Sequence, residues 1–292
     1  MKISKINESF IKNNLFTPHK FSNKYEQGKL LVIAGSIGMT GAACLSVLSA
    51  YRSGAGLVKI VVPKSLNSIF EIKLTEAMTI PVEDNGCGFL KIENNLSVIK
   101  HLEWADAILI GPGLGREKTT NELVEFILKS SDKTIILDAD GLFYFTQKLD
   151  FLNKLKSEII LTPHFYEGSR LFNIAYNEIN EDQIKSLLKI QEKINKIVVL
   201  KGPTTFISYG DKLMENTTGN QGLSVGGSGD VLSGIISSFA CQGFSPFIAS
   251  AMGVFLHGKA ADKLLKTKGI RGLIPSDIID ILPTILKEYE TS

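Results

Sequence analysis

Cysteine is scarce in this 292-residue sequence, and its three cysteines, Cys44, Cys87 and Cys241, stand far apart. Such wide separation argues against a disulfide framework, and it lacks the paired spacing of a zinc site. Cys44 and Cys241 fall within apolar helical patterns, where a buried free thiol is the usual arrangement. We therefore assign no chemistry to the cysteines.

Long apolar runs and an excess of one charge are also missing. No stretch of about 18 uncharged apolar residues could cross a bilayer, and the N-terminal "MKISKINESFIKNN" lacks the apolar core of a signal peptide. The 32 basic and 30 acidic residues nearly cancel, whereas nucleic-acid binding usually needs a clustered basic face. We expect a cytoplasmic protein with no membrane or nucleic-acid partner.

What is present is an ordinary globular composition, with 44% hydrophobic and 21% charged residues. The length would allow two small domains, but it also suits one large α/β domain with a well-buried core. No internal repeat, low-complexity tract or linker divides the chain. We predict one domain over residues 1–292.

Apolar runs alternate with helical patterns along most of the chain. Strands are predicted in "GKLLVIAGS", "LVKIVVP", "ADAILIGPGLG", "KTIILDADG", "EIILTPH" and "KIVVLKGPT". Helices are predicted in "TGAACLSVLSAYR", "TTNELVEFILKSS" and "EDQIKSLLKIQEKIN", and a hairpin in "TTFISYGDKLMEN" turning at 209–211. This alternation predicts parallel βαβ units, with helices on both faces of a mostly parallel sheet.

Polar or glycine-rich residues follow five of the predicted strands. In a parallel sheet of this kind the ligand crevice lies beyond the carboxyl ends of the strands. We therefore expect these endings to gather on one rim: 35–36, 111–115, 138–140, 162–164 and 201–202.

The stretch "NQGLSVGGSGDVLSGIISSF" places glycines just before a predicted helix that begins near Ser228. Gly226, Gly227 and Gly229 allow consecutive amides to point inward, and the helix start adds its dipole and unpaired N–H groups. This arrangement suits a phosphate. The pattern is neither a Walker A loop, which needs a Lys-Ser or Lys-Thr pair, nor a G-x-G-x-x-G dinucleotide motif.

Asp230 stands at the junction of this loop and the helix. A carboxylate here would repel a phosphate, unless it faces a hydroxyl that is about to receive the phosphoryl group and accepts its proton. The alternative is an acid in the first helical turn, which the helix dipole stabilises, following an ordinary turn. The motif alone leaves both interpretations open.

Six motifs in order make a specific resemblance, from about Gly28 to Asp262: "AGSIGMTGAACLSVLSAYRSGAGLV", "GPGLG", "LDADGL", "LTPHFYE", "LKGPTT" and "NTTGNQGLSVGGSGDVLSGI". Together they closely resemble the ADP- or ATP-dependent NAD(P)H-hydrate dehydratase family of the ribokinase-like superfamily. The resemblance implies a three-layer sandwich, in which helices cover both faces of a mostly parallel central sheet.

The activity implied by the resemblance is repair of NADH-hydrate and NADPH-hydrate. The enzyme would phosphorylate the C6 hydroxyl of the S epimer and eliminate phosphate, giving AMP and phosphate if ADP is the donor. Magnesium would come with the ADP or ATP, without a dedicated protein site. The resemblance also suggests a homotetramer. Because the pattern begins by about residue 28, we expect no fused epimerase domain and a separate epimerase partner.

Site residues follow from the matched motifs. The family's base falls on Asp230, and its anion hole falls on the amides of Gly227, Ser228 and Gly229. Its nucleotide site falls on Lys201, Gly202, Pro203, Thr204, Thr205, Asn220 and Gly229. Its hydrate site is similar to one built from Ala42 or Ala43, Gly113, His164 and Asp230.

Several of these residues have a simpler interpretation. His164 could bond only neighbouring backbone, and Lys201 could be a solvated charge at the end of a strand. Ala42 and Ala43 could serve only helix packing. For Asp138 and Asp140 we favour capping of the following helix over a magnesium role. His257, in a helix rich in small residues, is expected to be a packed or interface residue and not a catalyst.

Two other functions compete with repair. A ribokinase-like kinase of a small alcohol, such as a vitamin precursor, would share the glycine loop and its acid but release a phosphorylated product. It does not explain "GPGLG" and "LTPHFYE" occurring together. A non-catalytic nucleotide-binding oligomer would use the loop for phosphate alone, without turnover.

Overall fold

A computed structural model describes residues 3–146 and 148–290. Their strands are β1 (Ile3–Lys5), β2 (Lys29–Ile33), β3 (Leu57–Pro63), β4 (Met78–Val82), β5 (Ala107–Ile110), β6 (Thr134–Leu137), β7 (Ile159–Leu161), β8 (Ile197–Leu200), β9 (Thr205–Tyr209) and β10 (Lys212–Asn216). They form one ten-stranded sheet in the order β1-β10-β9-β8-β7-β6-β5-β2-β3-β4.

The sheet is mostly parallel, as predicted. Neighbouring strands from β4 across to β8 all run parallel, and β9 runs against β8 and β10. Strand β9 reverses because it forms the predicted hairpin with β10, in which Tyr209 pairs with Lys212 across a two-residue loop. Gly210 takes a φ of +57° in that loop, a conformation that glycine adopts readily.

Helices cover both faces of the sheet. They are α1 (Glu8–Asn14), α2 (Thr40–Arg52), α3 (Asn67–Lys73), α4 (Asn95–Leu102), α5 (Lys118–Ser130), α6 (Asp140–Phe143), α7 (Leu149–Lys154), α8 (Phe165–Phe172), α9 (Tyr176–Glu181), α10 (Gln183–Lys193), α11 (Ser228–Cys241), α12 (Pro246–Lys268) and α13 (Pro275–Lys287). The predicted three-layer α/β arrangement is therefore confirmed.

Two hydrophobic cores separate the layers. Along β2, Leu30 and Val32 belong to one core and Leu31 and Ile33 to the other, because successive strand side chains point to opposite faces. The first core is closed by α1–α3 and α11–α13, and the second by α4–α10. Each fully buried aliphatic side chain stabilises this arrangement by about 1.5–3 kcal/mol.

The strand order reverses between β2 and β5. From β2 the chain proceeds outward to β3 and β4, and it then returns to place β5 on the other side of β2. At such a reversal the two loops that follow the strands diverge, which opens a crevice at the carboxyl edge of the sheet. The structure thereby places the predicted polar endings around a crevice.

Helices α2 and α11 pack closely because small residues line their contact. A Cβ at Gly234 would lie 2.0 Å from Ser49 Oγ and 2.2 Å from the Ser46 carbonyl oxygen, so only glycine fits there. Ser46 Oγ also donates to the Asp230 carbonyl oxygen at 3.0 Å. This contact fixes the first turn of α11 beside α2 at the crevice.

Two further sequence expectations can be compared with the described residues. Cys44 and Cys241 are buried free thiols, as predicted, and Cys87 is half-buried. Across residues 3–146 and 148–290, no helix combines the length and the apolar character needed to cross a membrane.

Candidate active site

The five predicted strand endings do meet on one rim. Ser36 Oγ donates to the Gly113 carbonyl oxygen at 2.9 Å, which joins the loops after β2 and β5. The Gly115 N–H donates to Asp140 Oδ2 at 3.1 Å, which adds the loop after β6. The endings of β7 and β8 join through a bridge between His164 and Lys201.

Asp138 is an ion-pair partner and not a helix cap. Its Oδ1 accepts from Lys201 Nζ at 2.9 Å and from Thr162 Oγ1 at 2.6 Å, and the residue is only 1% exposed. Burial disfavours the charge of Lys201, but the carboxylates of Asp138 and Glu167 outweigh it and raise the pKa of Lys201. Lys201 is therefore a buried, paired ammonium and not a solvated strand-end charge.

Asp140 does not cap the following helix either, so the capping interpretation is wrong for both acids. The residue before α6 is Ala139, and no side chain caps that helix. Asp140 instead accepts from Arg116 Nε at 2.8 Å and from the Gly115 N–H. It orients the glycine loop after β5, because carboxylates form strong bonds with guanidinium and amide donors.

Ala139 has a backbone conformation that L-residues rarely adopt. Its φ of +49° and ψ of −120° match the first central residue of a type II′ turn, a position where glycine dominates. The Gly141 N–H closes this turn by donating to the Asp138 carbonyl oxygen at 2.9 Å. The turn directs the two neighbouring acids to different partners on the rim.

The glycine loop before α11 leaves backbone donors free. Gly227 takes a φ of +93°, and α11 begins at Ser228, as predicted. The Ser228 N–H donates to the Val225 carbonyl oxygen at 3.2 Å, whereas within residues 3–146 and 148–290 the N–H groups of Gly227, Gly229 and Asp230 have no acceptor. Three unpaired donors at a helix start form an anion site.

Lys201 lies against this anion site. A Cβ at Gly229 would lie 3.3 Å from Lys201 Nζ, so the ammonium passes close to the first turn of α11. The free amides and the ammonium together supply positive charge where a phosphoryl group would be held.

Asp230 has the proton affinity expected of a general base. Burial raises the pKa of its carboxyl from 3.8 to about 7, and the charges of Asp138 and Asp140 act in the same direction while Lys201 opposes them. A base whose pKa lies near the working pH combines a useful ionised fraction with a real affinity for the proton. Asp230 does lie in the first turn of α11, but its raised pKa is opposite to the direction in which the helix dipole alone would act.

A cavity of about 550 Å³ opens beside the start of α11. Its lining includes most of the predicted nucleotide residues: Lys201, Gly202, Pro203, Thr205, Asn220 and Gly229. Asn220 is fixed on both sides of its amide, since its Oδ1 accepts from the Gly222 N–H and its Nδ2 donates to Asp262 Oδ1, both at 3.0 Å. Asp262 also accepts from the Gly219 N–H at 2.9 Å.

His257 is packed, as expected, but it also lines this cavity. Its Nε2 lies 3.4 Å from Ser228 Oγ. Burial and the charge of Lys201 lower the pKa of His257 to about 4, so the ring is neutral near pH 7. It presents a polar and uncharged group to whatever occupies the cavity.

His164 makes the neighbouring backbone hydrogen bonds considered from the sequence, and its hydrate-binding role stays a prediction. It caps α8, because its Nδ1 accepts from the Tyr166 N–H at 3.1 Å and from the Glu167 N–H at 3.4 Å. Its side chain is still 52% exposed and lines the cavity. Since Nδ1 accepts, Nε2 carries a proton, and it lies 3.6 Å from Glu167 Oε2.

The two alanines of the predicted hydrate site differ in their surroundings. Ala43 is fully buried in the core beside Gly35. Ala42 is half-buried, and its Cβ lies 3.1 Å from the position that a Cβ would take at Gly113. Gly113 itself has a φ of +58°. Ala42 and Gly113 therefore form a tight surface step beside the crevice.

The acids around the crevice do not form a metal cage. In the described part of the chain, no group of three or more His, Cys, Asp or Glu side chains is placed to hold a metal ion. Asp138 and Asp140 are already engaged by Lys201 and Arg116.

Sequence reasoning did not assign a site role to Asp262, His257, Arg116 or Arg170. Asp262 and His257 lie on α12, whose first half is largely apolar, and His257 is a polar residue within that buried part. The two arginines carried no signal, because their shared contact with Phe143 depends on how the loop of Arg116 and helix α8 meet.

Comparison with known proteins gives a consistent set of similarities. The family model described as NAD(P)H-hydrate dehydratase matches residues 30–284. The bifunctional NAD(P)H-hydrate repair enzyme Nnr of Moorella thermoacetica is 35% identical over 264 residues, 90% of this chain and 50% of that protein. The chain thus spans about half the length of the first curated relatives it matches.

A relative of similar length is the ADP-dependent (S)-NAD(P)H-hydrate dehydratase of Enterococcus faecalis. It is 31% identical over 271 residues, 92% of this chain and 87% of that protein. The solved ADP/ATP-dependent NAD(P)H-hydrate dehydratase of Bacillus subtilis, co-crystallised with ATP/Mg²⁺, superposes with a TM-score of 0.87 at 28% identity, covering 99% of this chain and 100% of that one. The structural matches confirm the predicted ribokinase-like fold.

Proposed function

Because this chain belongs to the NAD(P)H-hydrate dehydratase family, we propose that it dehydrates the S epimer of NADH-hydrate and NADPH-hydrate, using a nucleotide as phosphoryl donor. The observation that carries the proposal is the position of Asp230. Its carboxyl, with a pKa of about 7, follows directly on the free amides of the glycine loop. A base and an anion site in consecutive residues suit transfer of a phosphoryl group to a hydroxyl.

In the first step, Asp230 accepts the proton of the C6 hydroxyl as that oxygen attacks the terminal phosphorus of the nucleotide. The O–P bond forms, and the bond from this phosphorus to the bridging oxygen breaks. The free N–H groups of Gly227 and Gly229, with Lys201, stabilise the charge on the transferred group. With ADP as donor the products of this step are AMP and the phosphorylated hydrate.

In the second step, the ring nitrogen donates its lone pair as the C6–O bond breaks and phosphate leaves. Loss of a proton from C5 then restores the dihydronicotinamide ring. Phosphorylation matters because hydroxide is a poor leaving group and phosphate is a good one. The net reaction removes water from the hydrate and hydrolyses the nucleotide to AMP and phosphate, or ATP to ADP and phosphate.

Asp138 is, in this proposal, a positioning residue. It is held by the Thr162 hydroxyl and keeps Lys201 Nζ at 2.9 Å, beside Gly229. Without this anchor the ammonium would be free to pair with Asp230 and lower its proton affinity. The Asp138–Lys201 ion pair thus keeps the ammonium that would contact the phosphate apart from the Asp230 carboxyl that would accept the proton.

The nucleotide would occupy the cavity lined by Lys201, Pro203, Thr205, Asn220 and His257. The hydrate would approach Asp230 from the side of Ala42, Gly113 and His164. Of the two alanines we choose Ala42, since Ala43 is fully buried. Magnesium fits this arrangement only as a companion of the nucleotide phosphates, whose charge it would partly neutralise.

Other features predicted from the sequence stay proposals. ADP is the donor named for the Enterococcus faecalis relative, and ADP or ATP for the Bacillus subtilis one. The single-domain organisation, the homotetramer, the separate epimerase and the cytoplasmic location stay predictions. The small-alcohol kinase is not favoured, because the family model and relatives at 28–35% identity are named hydrate dehydratases or repair enzymes.

The decisive experiment is near-ultraviolet absorbance of purified protein with S-epimeric NADH-hydrate, magnesium and either ADP or ATP. Recovery of the dihydronicotinamide absorbance in the presence of one nucleotide establishes the activity and identifies the donor. No recovery with either nucleotide contradicts the proposal, and a phosphorylated small alcohol as product would favour the kinase.

A further inference from the structure

Two arginines on the rim lie against one aromatic ring. The guanidinium carbon of Arg116 lies 4.4 Å from the centroid of the Phe143 ring, and that of Arg170 lies 5.0 Å from the same centroid. Arg170 also lies 5.7 Å from the Tyr166 ring centroid. Two exposed cations thus share one aromatic ring, and this cluster of Arg116, Phe143, Tyr166 and Arg170 needs an explanation.

Most of the guanidinium donors in this cluster are unused. Arg116 donates through Nε to Asp140, and within residues 3–146 and 148–290 no other N–H group of Arg116 or Arg170 has a protein acceptor. Both side chains are exposed. A guanidinium stacked on a ring keeps its edge free for planar, bidentate binding of a phosphate, which is the geometry in which arginine differs from lysine.

The cluster connects the two predicted hydrate-binding segments. Arg116 is in the loop of Gly113, and Asp140 joins it to Gly115. On the other side, Tyr166 stacks with His164 at 6.5 Å between ring centroids. Asp140 is also close enough to Asp230 to contribute to its raised pKa. The free guanidinium edges therefore lie on the same rim as the reacting carboxyl.

We propose that the cluster of Arg116, Phe143, Tyr166 and Arg170 binds the phosphate groups of the dinucleotide hydrate. This inference rests on the proposed function, because it assigns the part of the substrate that does not react. A dinucleotide carries its diphosphate one ribose away from the nicotinamide ring, and NADPH-hydrate carries a 2′-phosphate in addition. The two arginines offer paired donors for either group, and the exposed Tyr166 ring offers a surface on which an adenine or ribose can pack.

The test compares substrates that differ only in phosphate. Steady-state dehydration is measured for Arg170→Ala and Arg170→Lys with the S-epimeric hydrates of NADH, of NADPH and of reduced nicotinamide riboside, which has no phosphate. Lys118→Ala is the matched control, because it removes an exposed cation from the same rim without touching an aromatic ring. Thermal unfolding of each variant verifies that the fold is retained.

We expect Arg170→Ala to raise KM about tenfold or more for the two dinucleotide hydrates, with kcat little changed and no effect on the riboside hydrate. Arg170→Lys restores part of the affinity, and Lys118→Ala changes none of these values. An increase shared by both dinucleotides assigns the diphosphate, whereas an increase confined to NADPH-hydrate assigns the 2′-phosphate. Unchanged KM, or an equal loss for all three substrates, overturns the inference.

A binding measurement separates this inference from the proposed function. NADPH affinity is followed by the fluorescence of the dihydronicotinamide, with no turnover required. If the wild type shows no dehydration but Arg170→Ala weakens NADPH binding, the phosphate site stands and the proposed activity fails. If the wild type is active and Arg170→Ala leaves NADPH affinity unchanged, the activity stands and the phosphate site fails.

Discussion

The two sides of Asp230 are built in different ways. The side proposed for the nucleotide is the cavity whose lining includes Lys201, Thr205, Asn220 and His257, and apart from the Lys201 ammonium it consists mainly of backbone and uncharged side chains. The side proposed for the hydrate includes Ala42, Gly113, Arg116 and Arg170 and carries exposed arginines and the exposed Tyr166 ring, while His164 borders both sides. In the proposed arrangement Asp230 lies between these two surroundings.

The surroundings of Asp230 explain why the pKa of its carboxyl is raised. Burial removes water from Asp230 and disfavours its ionised form, and it is the largest cause of the raised pKa of the carboxyl. On the other side, Arg116 and Arg170 are exposed.

The largest effect is expected when the Asp230 carboxylate, which lies between the two proposed sites, is removed. Asp230→Asn should reduce dehydration by about 10²–10⁴-fold, the range typical for loss of a general base. Nucleotide binding should be retained, because the cavity is lined by other residues. Absorbance gives the turnover, and calorimetric titration with ADP gives the affinity. Turnover at the wild-type rate would remove Asp230 from the mechanism.

A pair of glycine substitutions should affect one side each. A Cβ at Gly258 would lie 2.3 Å from Thr218 Oγ1 and 2.5 Å from the Thr218 carbonyl oxygen, so Gly258→Ala displaces a wall of the cavity. A Cβ at Gly113 would lie 2.6 Å from the Met39 carbonyl oxygen, at a φ of +58°.

Overpacking of this kind costs about 1–3 kcal/mol. We therefore expect Gly258→Ala to raise KM for the nucleotide roughly tenfold and to leave KM for the hydrate unchanged, and Gly113→Ala to do the reverse. Initial rates with each substrate varied in turn provide both constants. If both variants raise the same KM, the two sides are not separate sites.

A smaller effect is expected when the negative charge of Asp138, the ion-pair partner of Lys201, is removed. In the wild type, kcat/KM should rise with pH through about 7, since Asp230 must be deprotonated to act as a base. Asp138 raises the pKa of Asp230, so Asp138→Asn should move this rise to lower pH. The asparagine oxygen can still accept from Thr162 and Lys201. A pH profile of kcat/KM measures the shift, and a rise at unchanged or higher pH would contradict the assigned role.

The smallest expected effect concerns the turn that holds the two acids apart. Ala139→Gly relieves a positive φ that costs an alanine about 1–2 kcal/mol, but it also increases the entropy of the unfolded chain by an amount worth about 0.4–1 kcal/mol. The expected net gain in the free energy of unfolding is between about 0 and 1.6 kcal/mol. Urea denaturation measures it, with turnover expected to stay the same. Clear destabilisation would show that the turn is not strained.

Much of this site was predictable because its parts are contiguous in sequence. The start of α11 at Ser228, the position of Asp230 in its first turn and the gathering of strand endings all follow from periodicity and from the geometry of parallel sheets. The polar endings also indicated which side of the sheet carries the crevice.

The rest could not be predicted, because it depends on which loops meet. Asp138 and Asp140 precede a helix and look like caps, yet their partners are Lys201, Arg116 and the Gly115 amide from other loops. The free amides of the anion site are also a structural result, since Ser228 N–H is used by Val225 while those of Gly227 and Gly229 are not.

The hydrogen bond from Ser46 Oγ to the Asp230 carbonyl oxygen joins residues 184 positions apart in the chain. We expect contacts between such distant residues to form late. Closing a long loop costs conformational entropy, and this cost comes before the contact can stabilise the fold. A chain released from the ribosome before α11 has docked on α2 therefore lacks the environment that gives Asp230 its proton affinity. Catalysis should appear during refolding only with the last kinetic phase, after most of the helical signal has returned.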